Sequence, residues 1–176
     1  MNIFKKPLLL FFTLLVLSEM YLPSYKTNFL LQLLFLVFTI KVKKIKIDLA
    51  TKIGWYNSKN SLAHITISKF KLHSSKIKIV GNQLEKACRH IQPINVNLNQ
   101  YSSFPNGTFY LCPDDLSSLE LKKAMKAINT YLTNKLSYKS ANPHLSIARN
   151  LETEKLETAV NSFSSVNLNF LCDTVI

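Results

Sequence analysis

The chain has 176 residues, 47% hydrophobic and 11% aromatic, with only three glycines. This suits one domain with a real core and excludes a disordered or collagen-like chain. Lysine and arginine number 22 against 10 acidic residues, and the net charge of +12 fits an anionic partner (nucleic acid, phosphorylated metabolites, a lipid surface) and fits a merely lysine-rich soluble protein equally. Three cysteines, Cys88, Cys112 and Cys172, form no CxxC pair and fit thiols in a reducing compartment.

Lys5 and Lys6 precede an apolar run over residues 7–17 that reads like the start of a signal sequence, but Ser18, Glu19, Met20 and Tyr21 offer no small-x-small cleavage site. The run is expected to be an anchor, an uncleaved signal or sequence ahead of the true start, with Met20 as an alternative start. Weak membrane association through residues 7–17 follows from the first two. Residues 1–28 are accordingly set apart as a hydrophobic extension and residues 29–176 as the folded domain. A second apolar run, Phe29–Ile40, is also shorter than the roughly 18 residues of a spanning helix. Its Phe, Val, Thr and Ile content predicts a buried strand over Leu33–Ile40.

Lys41–Ile53 predicts a helix with Val42, Ile45, Leu49 and Ile53 inward, stopped by Gly54. After a polar loop with Trp55 and Tyr56, His64–Leu72 predicts a strand, Lys76–Val80 belongs to the same region or to a helix start, and Asn82–Ile91 predicts a helix ended by Pro93. Ile94–Leu98 and Thr108–Leu111 predict a hairpin around Pro105-Asn106-Gly107. Leu119–Leu132 is the clearest helix, with Ser117 or Ser118 as cap. A short strand from Pro143, a helix over Thr153–Phe163 and a strand over Val166–Ile176 complete an α+β chain with antiparallel pairing.

Two stretches carry the chemistry. In SLAHITISKF, alternation puts His64, Thr66 and Ser68 on one strand face and Ile65, Ile67 and Lys69 on the other. In PHLSIAR, His144 and Ser146 share a face opposite Leu145 and Ile147. A histidine followed two positions later by a hydroxyl is common by chance, as His73 and Ser75 show. The copies at His64 and His144 gain weight from their alternating strands. A hydrolase triad lacks an acidic residue near either histidine in sequence. A metal site has only Cys88 and His90 as a close pair, and such a pair does not share a helix face. No GxGxxG, P-loop, HExxH or GxSxG occurs.

His64-Ile65-Thr66-Ile67 and His144-Leu145-Ser146-Ile147 resemble the two H-x-[ST]-hydrophobic motifs of the 2H phosphoesterase superfamily, most closely the branch of 2′-5′ RNA ligases and cyclic phosphodiesterases. A tryptophan-containing loop before the first motif, the GTFYL strand between them, and Pro143 and Arg149 around the second agree, and the similarity spans residues 33–176. Two features depart from the family pattern: Ile40 runs into Lys41 without a Pro-bearing loop, and the chain stops within its last strand, so a truncated C-terminus is expected.

The resemblance implies a bilobal fold of two pseudo-symmetric antiparallel sheets, with helices outside and a central cleft. It implies a phosphodiesterase or ligase acting on RNA ends or 2′,3′-cyclic nucleotides without cofactor or metal, in a cytoplasmic monomer. His64 and His144 would be general acid and base, and Thr66 and Ser146 would bind the phosphate oxygens. Tyr56 and Tyr110 are candidates to stack on a base, and Arg149 to bind phosphate, although alternation points Arg149, like Lys69 and Lys71, away from the histidines. Trp55 is expected to be a structural plug and Phe109 a core residue. The alternatives are a non-catalytic protein binding RNA or a phosphorylated ligand, and a protein anchored to a membrane by its N-terminal segment.

Overall fold

The computed structural model describes residues 8–15, 29–133, 138–173 and 175. Its first helix, α1, runs unbroken over Phe29–Ile53, so the expected strand over Leu33–Ile40 is helix instead. Phe38, Val42, Leu49 and Ile53 are all buried, and their spacing of four, seven and four residues makes one helical stripe from Phe38 to Ile53. No glycine or proline interrupts it, so packing overrides the strand preference of Phe, Val, Thr and Ile. Gly54 ends the helix with φ +76°, its N–H donating to the Ala50 carbonyl at 3.0 Å.

The apolar run near the start contributes strand β1 (Leu8–Leu15), which pairs antiparallel with β2 (His64–Leu72) from Leu8↔Leu72 to Leu15↔His64. That part of the expected extension is therefore an edge of the sheet; residues 1–7 and 16–28 lie outside the described residues. No helix among the described residues is long and apolar enough to cross a membrane.

Helix α2 (Ile77–Cys88) begins at Ile77, so residues 77–80 belong to the helix start, and β3 (Ile94–Phe104) extends beyond Leu98 before β4 (Thr108–Pro113). Helix α3 (Asp115–Tyr131) is capped by Asp114, not by Ser117 or Ser118. The Ser117 N–H donates to Asp114 Oδ1 at 2.8 Å, and the Ser117 hydroxyl first, then this N–H, hold the carboxyl below its ordinary pKa. Short β5 (Tyr138–Lys139), β6 (Leu145–Ala148), α4 (Thr153–Ser162) and β7 (Leu168–Cys172) follow.

The α+β antiparallel expectation holds, as one seven-stranded sheet in the order β1-β2-β6-β4-β3-β7 with β5 beside β2. Hydrogen bonding is continuous, where two separate sheets were expected. The motif strands meet at one pair, Ile65↔Leu145. Ile65, Ile67, Phe70, Phe109, Leu111, Leu145 and Ile147 all lie in the core. Fully burying each such side chain is worth about 1.5–3 kcal/mol.

The β3–β4 turn is locked to the segment after β6. Gly107 has φ +77°, its carbonyl accepts from the Leu151 N–H at 2.9 Å, and an added Cβ would meet the Leu151 carbonyl oxygen at 2.2 Å. Gly54 has the same φ region but open space around it. Gly54→Ala should therefore cost about 1 kcal/mol, the left-handed penalty alone, whereas Gly107→Ala should cost roughly 3 kcal/mol. Urea unfolding of the two variants checks this, and equal losses would show that the turn does not press on Leu151.

Candidate active site

His64 opens β2 and His144 immediately precedes β6. Between them the Ile65↔Leu145 pair turns both apolar side chains, each 1% exposed, into the core. In an antiparallel register the residues flanking such a pair project from the opposite face. His64 thus stands across from Ser146, and Thr66 across from His144, bringing all four candidate residues onto one face. Each histidine is half-buried, and Thr66 and Ser146 are each 8% exposed. Among the described residues neither hydroxyl has a hydrogen-bond partner.

The two imidazoles are held alike. His64 Nδ1 lies 2.9 Å from the Leu62 carbonyl, and His144 Nδ1 lies 2.8 Å from the Asn142 carbonyl. A carbonyl only accepts, so each Nδ1 carries the proton and donates it, leaving Nε2 for chemistry. Neither Nδ1 has the carboxylate partner that a hydrolase triad requires. Beyond this the two sites differ. Arg149 Nη2 lies 2.9 Å from His64 Nε2, and a guanidinium only donates, so His64 is neutral with its lone pair on Nε2. His144 instead packs edge-on against Phe104 at 5.1 Å and tilted against Tyr110 at 5.0 Å.

Burial lowers both imidazole pKa values, since desolvation disfavours the charged form. The carbonyl hydrogen bonds oppose that shift. Arg149 and Lys69 add to it at both histidines, and Lys46 adds to it at His64 alone.

Arg149 reaches the site although strict alternation points it away, and the cause is a β-bulge. The β4–β6 register passes from Phe109↔Ala148 to Tyr110↔Ser146, leaving Ile147 as an extra residue. Ile147 and Ala148 both fall on the core side, each fully buried, and Arg149 emerges beside the histidines. The β1–β2 register slips in the same way around Ile67, between Phe12↔Ser68 and Thr13↔Thr66. Ser68, expected beside Thr66, is instead fully buried and donates to Asn129 on α3, while Lys69 turns toward the site. Its ammonium also lies 5.2 Å from the Tyr138 ring centre. Lys71 is exposed, as expected.

The aromatic candidates divide. Tyr110 is the cross-strand neighbour of Ser146 and stacks on Phe104 at 4.2 Å, which puts it on the site face. Tyr56 is 4% exposed and its hydroxyl donates to the Lys46 carbonyl at 2.9 Å, so it is a core residue with no face open to a base. Desolvation pushes its pKa up to about 12. Trp55, expected as a plug, is 68% exposed, and Phe109 is fully buried as expected. Sequence reasoning missed Phe104 and Lys46 outright. It also missed a signal for the two cations: HITISK and HLSIAR each carry a basic residue five positions after the histidine.

The lowered histidine pKa values fix a pH dependence of stability. Above about pH 6.5 both histidines are neutral, folded or unfolded; below it the unfolded chain takes up protons that the folded chain resists. Stability should therefore fall as the pH drops from 6.5 through the lowered native values. Urea unfolding at about pH 7.5 and about pH 5.5 should show that loss in the wild type and a smaller one in His64→Asn/His144→Asn. Equal losses would mean that neither imidazole titrates abnormally.

The model of the 2′-5′ RNA ligase superfamily matches residues 42–175, a span that contains both motif strands and their bulges. The comparison with curated proteins returned no match. With that match over most of its length, the chain belongs to the 2′-5′ RNA ligase superfamily, and hence to the 2H phosphoesterases.

Proposed function

We propose that the chain is a phosphodiesterase that opens 2′,3′-cyclic phosphates on nucleotides or RNA ends, with His64 as general base and His144 as general acid. The observation that carries this reading is the pair of imidazoles, each with Nδ1–H tied to a carbonyl two residues back and Nε2 as the basic nitrogen, that of His64 on Arg149, beside two hydroxyls without a hydrogen-bond partner among the described residues. The two halves of the sheet on either side of Ile65↔Leu145 would be the two lobes, with substrate across their junction.

The roles follow from the different surroundings. His64 is held neutral by the Arg149 hydrogen bond and is pressed by Arg149, Lys46 and Lys69, which suits a base. An entering phosphate oxygen takes over the Arg149 guanidinium and frees His64 Nε2. That nitrogen removes a proton from water as the water oxygen bonds to phosphorus. The bond from phosphorus to one ribose oxygen breaks, and His144 Nε2 gives that oxygen its proton. Substrate charge raises the pKa of His144 toward its ordinary value, so that it enters as the imidazolium.

The Thr66 and Ser146 hydroxyls donate to the non-bridging oxygens, where charge grows in the transition state, and the Phe104–Tyr110 pair offers a wall for the base. Two imidazoles supply the acid and the base, so these steps ask for no metal. A ribose 5′-hydroxyl in place of water, attacking phosphorus in the same steps while the bond to the 3′ oxygen breaks, would join RNA ends through a 2′-5′ linkage; the excess of water favours hydrolysis for small substrates.

The test is turnover of 2′,3′-cyclic mononucleotides and of RNA bearing a cyclic phosphate, in the presence of EDTA. His64→Ala and His144→Ala should each lower kcat by about a hundredfold or more, and the wild-type profile should be bell-shaped in pH. Thr66→Val and Ser146→Ala should each lose on the order of a hundredfold in kcat. Activity that survives both histidine substitutions would sink the mechanism. Tight binding without turnover in the wild type would instead make the chain a non-catalytic ligand-binding protein.

A further inference from the structure

Lys46 is among the largest fully buried side chains of the described residues, at 1% exposure. It lies on the inward side of α1, between Val42 and Leu49, although the chain is rich in exposed lysines. Its Nζ donates to the Ser61 carbonyl at 2.8 Å, to the Ser61 hydroxyl at 2.8 Å and to the Ser58 carbonyl at 3.3 Å. All three acceptors are uncharged. Burying an ammonium without a carboxylate is costly, and a well-packed apolar residue would serve stability as well or better. Desolvation, then the Arg149 charge, bring its pKa down to about 8, so it still carries its proton at neutral pH.

What the ammonium holds is the loop that enters the first motif. Tyr56 ties the start of that loop to the Lys46 carbonyl, and Lys46 Nζ ties its end at Ser58 and Ser61. Leu62 comes next, and its carbonyl accepts the His64 Nδ1–H. The second motif has a different arrangement. There the Asn142 carbonyl accepts from the Ser140 hydroxyl at 3.1 Å as well as from His144, and the Ser140 N–H is anchored to the Ile67 carbonyl at 2.9 Å. Among the described residues no such hydroxyl donates to the Leu62 carbonyl, and the anchor reaches in from α1.

We propose that Lys46 is a positioning residue for the phosphodiester reaction, pinning the loop whose Leu62 carbonyl holds the His64 imidazole with Nε2 turned to the substrate. This rests on the phosphodiesterase reading above for the reaction, and on the hydrogen bonds alone for the geometry.

The test is Lys46→Met in the full chain, with two readouts. The first is solvent exchange of the two imidazole Nδ1 protons by NMR on 15N-labelled protein. The His64 proton should exchange about tenfold faster or more, while the His144 proton is unchanged. The second is hydrolysis of a 2′,3′-cyclic mononucleotide, where kcat should fall about tenfold or more with KM within about twofold. A folded Lys46→Met chain whose His64 proton stays as protected as in the wild type would overturn the proposal. A wild type without turnover would overturn the phosphodiesterase reading, and the exchange measurement would still decide what Lys46 positions. Should Lys46→Met fail to fold, Ser61→Ala removes one of the three acceptors and should speed His64 exchange about threefold; no change there would overturn the proposal equally.

Discussion

The Ile65↔Leu145 pair is the constraint on which the site depends. It is the one register pair between the two motif strands, and both side chains are buried in the core. An antiparallel pair alternates faces, so burying these two apolar residues forces both histidines and both hydroxyls to the other side. A slip of one residue would turn Ile65 outward and an imidazole inward. That would expose apolar surface worth about 1.5–3 kcal/mol per side chain and bury polar rings in its place. The chemistry is therefore arranged by hydrophobic burial, one residue away from the groups that would perform it.

Charge around the site depends on irregularity rather than on regular strand geometry. The bulges at Ile67 and Ile147 each add one residue on the core side, and each thereby delivers a cation, Lys69 or Arg149, to the face that holds the histidines. Lys46 arrives by another route, from the buried side of α1. The groups that shift the imidazoles by charge are all cations. Such a field lowers the histidine pKa values and favours an anion beside them, so one set of charges would govern both the resting electrostatics and the binding of a phosphate.

Regular strand geometry was legible in the sequence, and departures from it were not. Period-two alternation is local, so His64 with Thr66 and His144 with Ser146 could be read directly. A bulge without glycine leaves no local mark: Ile67 and Ile147 look like any other apolar strand residue, and their effect is visible only once the neighbouring strand is known. That is why Arg149 and Lys69 were assigned to the wrong face. The segment Leu33–Ile40 failed for a related reason, since β-branched and aromatic residues suit a buried strand and a buried helix face alike. Trp55 and Tyr56 exchanged their expected places because adjacent loop residues point apart. Only the Tyr56 hydroxyl finds a buried acceptor, at the Lys46 carbonyl.

The two motifs are alike in sequence and in how their imidazoles are held, yet acid–base chemistry across one phosphate needs two histidines in opposite protonation states. Surroundings outside the motifs supply the difference. His64 has a guanidinium on its free nitrogen and a buried ammonium behind its loop; His144 has two aromatic rings and a serine hydroxyl on its supporting carbonyl. Arg149 and Lys69 oppose protonation at both imidazoles, and Lys46 opposes it at His64 alone. Aromatic rings exclude water but leave the ring responsive to the charge of what binds. A phosphate arriving between them would draw Arg149 off His64 and stabilise a proton on His144 at the same time. One ligand would then set the two imidazoles to opposite tasks, so the acid and base assignment needs no asymmetry in the motifs themselves.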